Sequence, residues 1–250
     1  AEVFVNSGMI MPHSPAIDLM TDEYIASFNL NFMKEMDGDS LWEKLYHRPE
    51  LGVGYYQGSL GNDKVYGNSY SLYAFFEAPL WNISDRFALN YRMAAGLSYI
   101  SKTFQPHNNL YNIAIGSHLN IHFNLFINAL AKISEHCSIV SGLSLTHFSN
   151  GKVRSPNKGL NVINGSLGLR YSFGEPGTPE KDFMRPKIRD KNHFSLIWSQ
   201  GLKDHSRFKE SLYYISSLNV NYERQYAHVA KAGMGVDVFY NTSLVNYQQP

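Results

Sequence analysis

The chain has 250 residues, 44% hydrophobic and 17% charged, with a formal net charge of +1. That balance excludes a disordered chain and the broad basic field that nucleic-acid binding exploits. No stretch approaches the roughly 18 to 20 apolar residues of a spanning helix, which leaves membrane crossing by a barrel open. A single cysteine, Cys137, rules out an internal disulfide or a multi-cysteine metal site. The abundance of 17 Tyr, 15 Phe and 19 Gly favours strands and turns. Ala1 is not an initiator methionine and no signal-peptide pattern follows it, so the sequence reads as a mature chain.

In chain order, weak strands are expected near Glu2 to Gly8 and Ile25 to Lys34, then clearer alternating segments at Leu51 to Leu60 and Tyr70 to Leu80. From Phe87 to Ser101 one face carries Leu89, Tyr91, Met93, Leu97 and Tyr99, and the other Asn90, Arg92, Gly96 and Ser98. The next strand is expected from Ile113, with Ile115, Leu119, Ile121, Phe123 and Leu125 opposite His118, Asn120, His122 and Asn124. Ser117 and Phe126 break its rule. Segments at Ser138 to Ser149 and Val162 to Phe173 follow. One oily and one polar face on long strands is what a membrane barrel requires, with lipid outside and a polar lumen inside. A soluble sandwich would have shorter strands and polar residues outside.

The expected fold class is therefore all-β, an antiparallel up-and-down transmembrane β-barrel of at least eight strands. Short turns at Asn82 to Arg86 and Ser134 to His136 alternate with longer loops at Thr103 to Leu110 and Asn150 to Gly159. The short turns are assigned to the periplasmic side and the longer loops to the exterior. Gly174 to Asn192, with Pro176, Gly177, Pro179 and Pro186, interrupts the rhythm and reads as a long periplasmic connection. Three more alternating segments follow, at Phe194 to Trp198, Leu212 to Tyr222 and Ala232 to Tyr240. They bring the count to eleven and leave Pro250 on the extracellular side, where an even-stranded barrel does not end. The expectation is that 1–173 form a first barrel region and that 174–250 add strands to the same barrel. The chain would then be truncated, with about twelve strands in the complete protein.

One segment looks like a reaction centre: His147-Phe148-Ser149-Asn150-Gly151, then Ser155-Pro156-Asn157-Lys158-Gly159-Leu160-Asn161. Alternation through Leu143 and Leu145 puts His147 and Ser149 on the lipid-facing side, at the outer end of an ascending strand. Asn161 falls on the same face of the descending strand, with Ile163, Leu167 and Leu169. Three polar groups at a lipid-facing spot are costly unless they are used. Residues i and i+2 of a strand lie about 6.6 Å apart on one face, so an imidazole and a hydroxyl there can meet. His147 suits a general base near neutrality, Ser149 a nucleophile, and Asn161 a partner for the other imidazole nitrogen. Asn150, Asn157 and the Gly151 amide are candidate oxyanion donors. Lys152, Arg154 and Lys158 give the loop three cations and no acid, candidates for binding an anionic group, beside the plain alternative of a solvated loop.

At these residues the sequence resembles the outer-membrane lipid A 3-O-deacylases and related acyloxyacyl hydrolases. The His-x-Ser-Asn segment, His147 to Asn150, and the Pro-Asn-x-Gly segment, Pro156 to Gly159, stand at that family's spacing. The likeness extends more loosely over about residues 1 to 173 and is nearest to longer members from Bacteroidetes-like bacteria. It implies an integral outer-membrane barrel of eight strands at minimum and a serine esterase facing the outer leaflet. The implied reaction is removal of an ester-linked acyl chain from the lipid A of lipopolysaccharide, with no cofactor. Carried over by position, His147 is the base, Ser149 the nucleophile, and Asn150 and Asn157 the oxyanion and loop-ordering residues. Where the family has an orienting glutamate this chain has Asn161, which aligns a histidine but does not offset an imidazolium charge. That departure keeps a second reading open, a non-catalytic barrel, pore or binding surface, with a degenerate motif. Oligomeric state and the acyl position cut are not legible.

Other candidates have plainer readings. His118 and His122 are expected in a lumen hydrogen-bond network, not on a metal, and Glu77, Arg92, Lys231 and Asp237 in inward charge pairs. Asp37-Gly38-Asp39 lacks the ligand count of a calcium loop.

Overall fold

The computed structural model describes residues 1–21, 23–174, 187–188, 191–204, 212–228 and 230–245. Eight long strands lead the chain: β1 (Glu2–Ile10), β2 (Ile25–Glu35), β3 (Glu50–Ser59), β4 (Asn68–Ser84), β5 (Phe87–Ile100), β6 (Leu119–Lys132), β7 (Cys137–Ser149) and β8 (Leu160–Tyr171). Each pairs antiparallel with the next, and β1 pairs with β8 from Glu2↔Arg170 to Ile10↔Val162, which closes the barrel.

The alternation maps onto the two sides of the wall. On β5, Leu97 is 57% exposed and faces out, whereas its neighbour Ser98 is fully buried inside. The outward face carries a continuous apolar belt that includes Leu30, Val53, Leu72, Leu125, Leu143 and Leu167. Such a surface exceeds what a protein leaves against water and fits a hydrocarbon surround. No helix among the described residues is long and apolar enough to cross a membrane.

The lumen is filled. Toward the chain's start, Glu2, Glu50 and Glu77 meet Arg92 and Arg170 in a buried network. Arg170 Nη2 lies 2.6 Å from Glu77 Oε1 and 2.7 Å from Glu2 Oε1, and Arg92 Nη2 lies 2.6 Å from Glu2 Oε2. Asn128 and Asn90 also donate to Glu77, and the Arg92 guanidinium sits 4.3 Å from the centre of the Phe75 ring. Above this network His122 stacks on Tyr73 at 5.0 Å and its Nδ1 lies 3.0 Å from Ser71 Oγ, the structural role expected for it. His118 instead pairs through Nδ1 with the Ile100 carbonyl. Toward the opposite end an apolar core that includes Ile17, Tyr66, Ile115, Phe148 and Leu160 fills the barrel. The space left beside Tyr73 and His122 is a cavity of about 20 Å³, room for roughly one water.

Two expectations are corrected. The strand predicted from Ile113 starts at Leu119, because Ile113, Ala114 and Ile115 turn inward in a loop and are buried in the apolar core. Alternation alone does not distinguish a lipid-facing run from a loop that buries apolar residues. The second correction concerns 174–250, expected as more strands of the same barrel on the way to about twelve. The free edge of β8 is taken by β1, so no edge is left for another strand. Instead β9 (Asn192–Asp204), β10 (Leu212–Ala227) and β11 (Ala230–Asn241) form a separate three-stranded antiparallel sheet in the order β11-β10-β9. This sheet and Lys152–Ser155 belong to a second compact unit. Its Asp237 pairs with Asn219, and Lys231 lies 3.5 Å from Glu223. Most of the expected Gly174 to Asn192 connection, and Pro250, lie outside the described residues.

Short helices sit in two barrel loops, α1 (Pro15–Asp18) between β1 and β2 and α2 (Leu41–Leu45) between β2 and β3. The acidic turn before α2 is held by its own contacts: Asp37 pairs with Lys34, and Glu43 accepts from the Gly38 and Asp39 amides.

Candidate active site

The sequence places His147 and Ser149 on one face of β7, and the register supplies their neighbours. His147 stands opposite Phe123 on β6 and Asn161 on β8, while Ser149 stands opposite Ile121. All three polar residues are half-buried on the outward side, whereas the intervening Phe148 is fully buried inside. Leu145 and Ile163, one step down the same face, belong to the exposed apolar belt. The polar patch therefore lies at the upper margin of the lipid-facing surface.

His147 and Asn161 are brought into direct contact, with His147 Nδ1 2.7 Å from Asn161 Oδ1. An amide oxygen only accepts, so Nδ1 is the donor of this pair, and in the neutral imidazole Nε2 then presents its lone pair. That is the tautomer a general base requires. Among the described residues no hydrogen bond joins Ser149 to His147; the strand spacing keeps them neighbours, and such contacts commonly tighten only with substrate in place.

Gly159 explains why the second motif carries a glycine. It sits at φ +75°, and a Cβ there would come within 2.8 Å of His147 Cε1. The missing side chain is the space the imidazole ring occupies. The loop backbone is fixed by the Gly159 amide donating to the Ala114 carbonyl at 3.0 Å, so the buried 113–115 segment supports the site from behind.

The expected oxyanion residues take different places. Asn157 Oδ1 accepts from the Asn150 main-chain amide at 3.1 Å, and Asn150 Nδ2 donates to Ser117 Oγ at 2.8 Å. Asn150 is thereby engaged in ordering the loop, which is the loop-ordering half of its expected role. Gly151 adopts φ +64° and is exposed where the chain leaves β7. The three expected cations are divided between the two compact units. Lys158 is exposed on the barrel, whereas Lys152 and Arg154 belong to the second unit, where the Lys152 carbonyl accepts from the Asp204 amide.

One residue carries no signal in the sequence. His13, in the loop after β1, lies with Nε2 3.0 Å from the Lys158 carbonyl and Nδ1 3.4 Å from Asn161 Nδ2. Nothing local marks it, because 148 residues separate it from Asn161 and only barrel closure brings β1 beside β8. Ser117 is visible only as an exception to alternation. Among the described residues no cluster of His, Cys, Asp and Glu is suited to hold a metal.

Comparison with known proteins bears on this geometry. A sequence model of the family described as lipid A 3-O-deacylase (PagL) matches residues 26–170, which include both motifs of the site. The crystal structure of the outer membrane enzyme PagL is 18% identical, with 67% of this chain and 98% of that one covered and a TM-score of 0.45. That of Neisserial surface protein A is 12% identical, with 69% and 96% covered and a TM-score of 0.46. The comparison with curated proteins finds no match. With more than half of its length matched and a closed, apolar-belted barrel, the chain belongs to the lipid A 3-O-deacylase (PagL) family and is an integral β-barrel protein of the outer membrane.

Proposed function

We propose that the outward patch at the ends of β7 and β8 is a serine esterase centre that removes an ester-linked acyl chain from lipid A. The observation that carries the reading is the 2.7 Å contact of His147 Nδ1 with Asn161 Oδ1, which leaves Nε2 free to act as a base, with Ser149 two residues along the same strand. Lipid A reaches the patch sideways from the outer leaflet, its acyl chains along the apolar belt.

Ser149 Oγ attacks the ester carbonyl carbon as its proton passes to His147 Nε2. The carbonyl oxygen becomes an oxyanion, for which the Gly151 amide and the Asn157 side chain are the proposed donors, with Asn150 holding the loop that carries them. Collapse breaks the bond to the sugar oxygen, which leaves with the proton from His147. Water then attacks the acyl-enzyme and gives a proton to His147, which passes it to Ser149 Oγ as the acyl bond breaks, releasing a fatty acid and free Ser149. No cofactor enters these steps. Asn161 orients the imidazole throughout but offers the imidazolium a dipole instead of a charge, so turnover is slower than with a carboxylate at this position. Lys158 is proposed to meet a phosphate of the lipid A headgroup, with Lys152 and Arg154 as further candidates.

The test is lipid A mass from a host expressing the intact protein, Ser149→Ala or His147→Ala. Loss of one acyl chain with the intact protein alone is the expected result and identifies the ester cut. Unchanged deacylation in either variant, or no deacylation by a folded, inserted intact protein, overturns the reading.

A further inference from the structure

We infer that His13 is a positioning residue that fixes the orientation of the Asn161 amide and, through it, the tautomer of His147. The inference rests on the esterase reading above and extends it to a residue 134 positions before the base, brought to the site by the β1–β8 seam.

The chain of hydrogen bonds starts at one backbone carbonyl. The Lys158 oxygen only accepts, so the His13 Nε2 at 3.0 Å from it is the protonated nitrogen. In neutral His13 the other nitrogen, Nδ1, is then an acceptor, and it faces Asn161 Nδ2 at 3.4 Å. The amide nitrogen therefore points toward His13, which turns Oδ1 toward His147, where it lies 2.7 Å from Nδ1. His147 must donate from Nδ1, and its Nε2 stays unprotonated. Each step leaves one choice of donor and acceptor.

The device matters because Asn161 is an amide. A carboxylate presents two equivalent acceptors and cannot be reversed, whereas an amide turned over would aim Nδ2 at His147 Nδ1. That would place the imidazole proton on Nε2, where it blocks removal of the Ser149 proton. The donation from Nδ2 to His13 also polarises the amide and strengthens Oδ1 as an acceptor when His147 becomes positively charged. His13 thus offsets part of what the absent carboxylate would have supplied.

The experiment compares purified wild type, His13→Ala, His13→Gln, Asn161→Glu and the His13→Ala/Asn161→Glu double variant in detergent with lipid A as substrate. It also records the His147 tautomer by nitrogen NMR in micelles. His13→Ala is expected to lower kcat by roughly 10- to 100-fold, the size of effect that loss of a histidine's orienting partner has in metal sites. KM stays within about twofold, since uniform binding is untouched. His13→Gln, whose side-chain oxygen accepts from Asn161, recovers most of the rate. On the Asn161→Glu background the cost of removing His13 shrinks to under about threefold, because a carboxylate has no wrong orientation. The proton of His147, on Nδ1 in wild type, moves in part to Nε2 in His13→Ala. No loss of kcat, an equal loss on both backgrounds, or an unchanged tautomer overturns the inference. The NMR arm decides it even if no turnover is seen, whereas Ser149→Ala deacylating like wild type overturns the esterase reading itself.

Discussion

The barrel holds two polar clusters in places where polar groups are costly, and they differ in how far their bonds are satisfied. In the lumen network Glu2, Glu77, Arg92 and Arg170 are buried and Glu50 is half-buried, with the charges paired and further held by Asn31, Asn90 and Asn128. The outward patch of His147, Ser149 and Asn161 is half-buried, with His147 Nδ1 against Asn161 Oδ1 and Asn161 Nδ2 facing His13 Nδ1. The first arrangement pairs its charges with one another inside the wall. In the proposed esterase the second uses its bonds to set one orientation, with His147 as base and Ser149 as nucleophile. Polarity in a membrane wall thus reads as structure where it is satisfied internally and as chemistry where it is aimed.

Removing a member of the patch should separate the two clusters most sharply. Ser149→Ala or His147→Ala is expected to lower deacylation by at least about 10⁴-fold while heat-modifiable gel migration of the folded barrel stays unchanged. The converse change, Glu77→Ala, leaves two buried guanidiniums short of a partner and is expected to cost about 3–5 kcal/mol of stability. It should appear as a lower temperature for conversion of the folded to the unfolded gel band, with kcat below that temperature within about threefold of wild type. A catalytic collapse in Glu77→Ala with the barrel still folded would show that the two clusters are coupled and not independent.

Smaller changes sharpen the patch side alone. Gly159→Ala strains a left-handed backbone and pushes a methyl group into the His147 ring. A displacement near 1 Å in a catalytic group costs roughly 100-fold in rate, so kcat should fall by about that factor with little change in thermal behaviour. Asn161→Glu should raise kcat about tenfold, since a charge-assisted hydrogen bond to the imidazolium is roughly twice as strong as a neutral one. An unchanged rate would mean that orientation, not charge, limits this site.

Much of the patch is legible in the amino-acid sequence. His147 and Ser149 stand out because each breaks an oily face, and Asn161 because the same count on the next strand brings it to that face. The contact at 2.7 Å and the half-burial of all three agree with that placement. Less is legible in the loops. Asn150 and Asn157 share a loop by spacing, but that Asn150 donates to Ser117 depends on a loop whose path no periodicity describes. The apolar run Ile113 to Ile115 reads as strand by composition, and its burial in the core follows from the loop's descent into the barrel mouth.

The sequence by itself determined the wall: a period of two repeated over long segments sorts side chains between lipid and lumen, and it needs only neighbouring residues to be read. Tertiary structure alone decided where the wall ends, because closure is a matter of which distant edge takes the free hydrogen bonds of β8. That choice made the barrel eight-stranded, left β9–β11 to pair among themselves, and carried His13 to within 3.4 Å of Asn161. The physical reason is one of range. Alternation records the solvent on each side of a strand, whereas closure satisfies backbone donors and acceptors across 168 residues of chain, from Glu2 to Arg170, and leaves no mark in the residues that lie between.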